Sequence, residues 1–193
     1  MEQLVPETTY EFQELVEVDF SDQAAEAVCL RNCRLSKVKF TRSRLQRLDL
    51  DKVEADDCDF ANAFLPKARL DRVVVKESRL VGIDLSGALV KASAFEACDA
   101  TYGNFRSAVF RKCRFRACNL RGADFQGADL RSAVFEQCDL REAQLSFAKL
   151  DGADLRGSEL TGLRVGIENL RGAIVDPAQA AYLAGLMGLK VVW

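Results

Sequence analysis

The sequence predicts an all-β solenoid, a chain wound into coils of about twenty residues, and three observations carry that expectation. Stepping by five from Phe20 to Val175, the 32 positions hold 16 Leu, 9 Phe, 4 Val and 3 Ala and nothing polar. Two residues before each centre runs a second column, from Val18 to Ala173, in which 27 of 32 positions are Ala, Cys, Ser, Val or Gly. Only Gln23, Leu48, Ile83, Leu163 and Glu168 depart from it. Like residues also recur at twenty: Phe20, Phe40 and Phe60; Phe95, Phe115 and Phe135; Phe105 and Phe125; Cys98, Cys118 and Cys138, with Cys58 and Ser78 on the same column. A period of five drifts around an amphipathic helix and a flat strand alike, so the chain must turn regularly. Each short unit can bury its apolar side only against its neighbours. Identical side chains on successive coils, about 4.8 Å apart, form ladders. Four five-residue sides per coil follow, giving eight coils over a body about 40 Å long.

At the front, residues 1–17 are expected to cap the first coil. Tyr10, Phe12, Leu15 and Val18 supply apolar cover among Glu2, Glu7, Glu11, Glu14, Glu17 and Asp19, with no Lys or Arg in the first twenty residues. That start is the opposite of a secretory signal, and a cytoplasmic protein is expected. Residues 18–175 form the repeat body, a single domain without linker or low-complexity segment. Gly82, Gly87, Gly122, Gly127, Gly152, Gly157, Gly162 and Gly172 lie two residues after a centre, where the chain bends and positive φ suits glycine. Units with Arg47, Asp57 or Lys112 there are expected to turn with ordinary dihedrals. Residues 176–193 make the tail. Asp176 before Pro177 reads as a helix N-cap and first helical position, residues 177–187 as a short helix, and Gly188 as its stop. Leu189-Lys190-Val191-Val192-Trp193 reads as a terminal strand. The longest apolar stretch, residues 178–189, is too short and too Gly-broken to span a bilayer.

Little chemistry is available to this chain. It has no His, so acid–base work would fall to carboxylates, Lys or Tyr, and no phosphate loop, nucleophile elbow or dinucleotide fingerprint is present. No catalytic residue, cofactor or metal is expected. Six cysteines, Cys33, Cys58, Cys98, Cys113, Cys118 and Cys138, fall in the small inward column and behave as small hydrophobes. Cys29 stands at an outward position and is expected to be the reactive thiol. Asp124, Asp129, Asp139 and Asp154, each before a centre, read as solvated side chains that bond neighbouring turn backbone.

Units such as Cys58-Asp59-Phe60, Ala123-Asp124-Phe125, Ala128-Asp129-Leu130, Cys138-Asp139-Leu140 and Ala153-Asp154-Leu155 resemble the repeat of the pentapeptide repeat proteins. The resemblance implies a right-handed quadrilateral β-helix with four pentapeptides per coil. The tail, Leu170-Arg171-Gly172-Ala173-Ile174-Val175-Asp176 with Gln179, Leu183, Leu186 and Val191-Val192 behind it, is similar to the ending of the Qnr-like quinolone-resistance branch. That similarity implies a homodimer joined through the C-terminal helix and strand, with Ala181, Tyr182, Leu183, Leu186, Met187, Val191, Val192 and Trp193 as candidate interface. It further implies a rod that imitates DNA on DNA gyrase or topoisomerase IV, of the loopless type because the beat is unbroken.

The charge of the chain bears on that implication, since its net value is only −2. Residues 1–26 hold eight acids and no base, and residues 27–47 seven bases and no acid. Asp49, Asp51, Glu54, Asp56, Asp57 and Asp59 then form an acidic belt, the candidate for phosphate imitation. Direct nucleic-acid binding is not expected, because Lys/Arg clusters are diluted by acids and lack interleaved exposed aromatics. The alternative function is a structural or adaptor rod for another cytoplasmic protein.

Overall fold

The computed structural model describes residues 3–192. The chain winds into a parallel β-solenoid in which every strand pairs with the strand twenty residues away, as in Tyr10 with Leu30 and Phe115 with Phe135. Four faces result. On the first, a six-stranded ladder runs from Thr9–Glu11 to Val109–Arg111 and continues as single bridges through Asp129 to Lys149. A seven-stranded ladder from Glu14–Val16 to Val134–Glu136 makes the second. The third is a chain of bridges from Asp19 to Glu159, and the fourth begins with Ala24–Glu26 against Arg44–Gln46 and continues by bridges to Arg164.

The expected ladders of side chains are present. Phe95, Phe115 and Phe135 stack with centroids 4.9 Å apart, and Phe105 lies 4.7 Å from Phe125. Rings on different faces meet edge-on, as Phe115 does with Phe125 at 6.4 Å, so stacks along the axis interlock across it. The twenty-residue register is thus written in the core as well as in the backbone.

The corners differ from expectation. Two residues after each centre, φ is positive at every position from Glu7 to Gly162, whatever the residue: Arg47 has φ 55°, Asp57 50° and Lys112 56°. The stacked path dictates this geometry, and residues other than glycine accept it. Two kinds of corner nevertheless exist. Wherever the small column holds Ala, its N–H donates to the C=O of the centre three residues back, as Ala63 does to Phe60 at 3.0 Å and Ala128 to Phe125 at 2.9 Å. At the Cys and Val positions of that column this bond is absent. Side-chain size alone does not sort the two kinds, because Ile83 and Leu163 in the same column also donate to the centre three residues back, at 3.0 and 2.9 Å. The Cys thiols then serve as weak donors inside the coil: Cys118 Sγ lies 3.3 Å from the Phe95 carbonyl and 3.4 Å from that of Arg116.

Cys29 requires a second correction. Its side chain is buried, not outward and free, and burial, with the Asp49 carboxylate adding, pushes its thiol pKa up. A protonated, covered thiol is a poor nucleophile.

Both ends also depart from the expected boundaries. Thr9–Glu11 and Glu14–Val16 pair with the next coil, so the ladder reaches back into the segment expected to be a separate cap. Leu4 is buried over the end, its N–H held by Gln23 Oε1 at 2.9 Å. At the far end a 3-10 turn, Ile167–Leu170, interrupts the repeat where Glu168 occupies the small column. The helix α1, Pro177–Leu186, follows with a complete capping box between Asp176 and Gln179. Residues 189–192 form no strand. Strand geometry needs a paired neighbour, and α1 carries the chain away from the last ladder.

Candidate protein-interaction surfaces

Charge on this rod is organised by coil. Counted in twenties from residue 4, residues 4–23 carry six acids and no base, 24–43 five bases against Glu26, and 44–63 six acids against three bases. Residues 64–83 carry five bases against two acids, 84–103 three acids against Lys91, 104–123 six bases and no acid, and 124–143 five acids against two bases. Stacking at a twenty-residue register therefore sets opposite charges face to face. Glu11 meets Arg31 at 3.7 Å, Glu17 Lys37 at 3.4 Å, Asp22 Arg42 at 2.6 Å, Arg34 Glu54 at 3.7 Å, Asp59 Arg79 at 3.3 Å and Glu96 Arg116 at 3.4 Å.

The candidate acidic belt belongs to this pattern. Asp49 and Asp51 lie on the first face, Glu54 and Asp56 on the second with Asp57 at the corner beyond, and Asp59 on the third. Bases on the adjoining coils face several of them: Asp51 is bound by Arg72, Glu54 by Arg34 and Asp59 by Arg79, while Asp49 and Asp56 stand in register with Arg69 and Lys76. The six carboxylates wrap one coil and form no stripe along the rod.

The carboxylates that precede centres bond the turn backbone. Asp124 accepts from Gln126 N at 2.9 Å, Asp139 from Arg141 N at 3.0 Å and Asp154 from Arg156 N at 3.1 Å. Arg131, Arg141 and Arg156 also clip the side chains of Asp129, Asp139 and Asp154, and these hydrogen bonds hold the carboxyl pKa values low. Such groups brace turns, and none sits in an enclosed cleft with a second titrating group. Among the described residues no cluster of three His, Cys, Asp or Glu could hold a metal, and no helix is long and apolar enough to cross a membrane.

The C-terminal end divides the candidate interface residues into two sets. Leu183 is buried in the chain's own core, and Tyr182 accepts the Gly162 N–H at 2.6 Å, so both face inward. Ala181 is half-buried. Leu186, Met187, Val191 and Val192 are exposed, as is Leu189, and Trp193 lies outside the described residues. Sequence reasoning missed the fastening residue, Gln179, which is buried and donates to the Leu155 carbonyl at 2.6 Å and the Ser158 carbonyl at 2.7 Å. Its position three residues after Asp176 was the available signal.

Two family models match, one described as pentapeptide repeats over residues 118–157 and 138–164, the other as a pentapeptide repeat region over residues 48–125. No curated protein matches the chain. Among solved structures, HetL, a pentapeptide repeat protein involved in heterocyst differentiation regulation from Nostoc sp. strain PCC 7120, is 22% identical over 89% of this chain and 87% of its own, with a TM-score of 0.39. QnrB1, a plasmid-mediated fluoroquinolone resistance protein, is 19% identical over 94% of this chain and 100% of its own, with a TM-score of 0.38. Rfr23 from the cyanobacterium Cyanothece 51142 is 16% identical over 91% and 92%, at 0.27. At these identities and scores the likenesses carry no argument about function.

Proposed function

The chain belongs to the pentapeptide repeat family, and from that premise we propose that it is a non-catalytic protein-binding rod that works as a homodimer joined at its C-terminal end. The observation that carries this reading is the far side of α1. The helix contains no charged residue, is fastened to the solenoid through Gln179, Tyr182 and Leu183, and leaves Ala178, Ala180 and Leu186 in water, with Met187, Leu189, Val191 and Val192 exposed in the segment just beyond it. A helix apolar on both sides is suited to burial on both sides, and a two-fold pairing covers it with a second copy while closing the assembly. Light scattering tests this: the parent should run as a dimer, and removal of residues 177–193 should give monomers or aggregates. A clean dimer after truncation would move the interface elsewhere.

The similarity of the tail to the Qnr-like branch favours DNA gyrase or topoisomerase IV as partner. The surface described above adds a condition to that reading. Because carboxylates are matched by bases on adjoining coils, the rod would engage the DNA-binding surface through local pattern, with weaker salt dependence than a densely acidic mimic. A supercoiling assay with and without quinolone decides it. Absence of any effect of the parent at micromolar concentration sinks the topoisomerase reading and leaves the dimeric rod standing.

A further inference from the structure

At one corner of the rod three neighbouring bases meet no acid in register on the adjoining coils. Arg111, Lys112 and Arg114 are exposed around the corner between the first and second faces, and among the described residues none of them makes an ion pair or side-chain hydrogen bond. Their neighbours in register explain why. Arg111 stands between Lys91 and, one coil on, Arg131, a like-charge column at strand spacing. Lys112 lies between Ala92 and Ser132, and Arg114 between Ala94 and Val134, so no carboxylate is in register with any of the three. Like charges directly opposite one another destabilise a sheet, and Arg111 against Lys91 differs from the like-charge pair Asp51 and Asp71, which Arg72 bridges, in that Arg111 has no counter-ion among the described residues. The small flanking side chains leave the three cations open, and a depression of about 350 Å³ beside them is lined by Phe110, Arg111, Lys112 and Arg131 together with Asp129, Asp151 and Ser132. Arg131 already neutralises Asp129.

We propose that this corner is a docking site for a short, flexible acidic segment of a partner protein. The charge pattern sets the direction of the segment. Along the axis the coils on either side are acidic, with Glu96 before and Asp129, Glu136 and Asp151 after, so a polyanion lying lengthwise would meet carboxylates within one or two coils. Across the axis it follows only residues 104–123, which hold no acid, with Arg111, Lys112 and Arg114 at the corner and, to either side, Arg106, Arg116 and Arg121 paired to Asp124, Glu96 and Glu142 of adjoining coils. That path bends around the corner at Lys112. An extended peptide, rising about 3.3 Å per residue, can follow it. A duplex with a persistence length near 50 nm cannot.

The test is fluorescence anisotropy of a fluorescein-labelled hexaglutamate peptide with the full chain at low ionic strength, where exposed charges are least screened. Replacing Arg111, Lys112 and Arg114 by Gln should weaken binding about tenfold, the size expected from three exposed ion pairs. Neutralising the paired bases Arg31, Arg34 and Lys37 should leave the affinity within about twofold. Arg111→Lys with Arg114→Lys should retain binding, which separates a lost contact from a lost fold. Failure of the parent to bind the peptide, equal losses in the two neutralised variants, or tighter binding of a short DNA duplex than of the peptide would each overturn the proposal.

Discussion

A phenylalanine in the middle of a stack has neighbours on every side. Phe115 is buried between Phe95 and Phe135 and meets Phe110 and Phe125 edge-on, so truncation removes face and edge contacts that a rigid ladder cannot collapse to replace. Phe115→Ala is expected to cost about 3–5 kcal/mol, read as a lower urea midpoint. An unchanged midpoint would mean that the stack contributes nothing beyond shape. The thiols make a second prediction at this scale. Seven free cysteines are buried, and burial raises the pKa of Cys29, Cys58 and Cys113. None should react quickly with a disulfide reagent at neutral pH in the folded protein, and all seven should react in denaturant. Fast reaction of one equivalent would reinstate the exposed Cys29 that periodicity suggests.

Among the elements, the C-terminal clasp is the one whose strength can be tuned by a few groups. Gln179 donates to two carbonyls of the last coil, and its loss would leave that of Ser158 without its donor and that of Leu155 with only the Ser158 N–H at 3.2 Å. Gln179→Leu should cost about 1–3 kcal/mol and loosen the helix first, seen as faster amide exchange in α1 than in the solenoid. Asp176 supplies a pH dependence. N–H groups of Gln179 and Gly157 lower its pKa from the ordinary 3.8, so its contribution is present above 3.8 and is lost as pH falls through the lower folded value. Acid should therefore release the helix, and Asp176→Asn should flatten that response. The same element shows what the sequence does and does not reveal. Periodicity found the four faces, the register, the cap at Asp176 and the helix, because each is a local rule repeated or a named motif. It placed a strand at residues 189–193, because apolar β-branched residues suit one, but pairing is a property of neighbours that a single chain does not provide there. It also assigned ordinary dihedrals to corners without glycine, because a residue's own preference was weighed without the stack that overrides it.

Over the whole molecule, the alternating coil charge acts as a register device as well as a soluble surface. A slip by one coil would set acid on acid and base on base along the rod, whereas the native register sets them in opposition. The individual pairs are weak: Arg34–Glu54 and Lys37–Glu17 are more than half exposed, and such pairs contribute about 0.2–1 kcal/mol each. Reversal tests whether their arrangement matters more than their number. Arg34→Glu with Lys37→Glu removes two pairs, sets an acid at position 34 opposite both Glu14 and Glu54 and one at position 37 opposite Glu17, and brings residues 24–43 to three acids against three bases between two acidic coils, for an expected loss of about 1–3 kcal/mol at low salt. Adding Glu17→Lys and Glu54→Arg rebuilds the two pairs with their signs inverted while Glu14 still faces an acid at position 34, so most of the lost stability should return although net charge does not distinguish the quadruple variant from the parent. At about 1 M salt, where the screening length falls to about 3 Å, the difference between parent and double variant should shrink. A double variant as stable as the parent, or a quadruple variant no better than the double, would show that the bands set solubility alone and leave the register to the core.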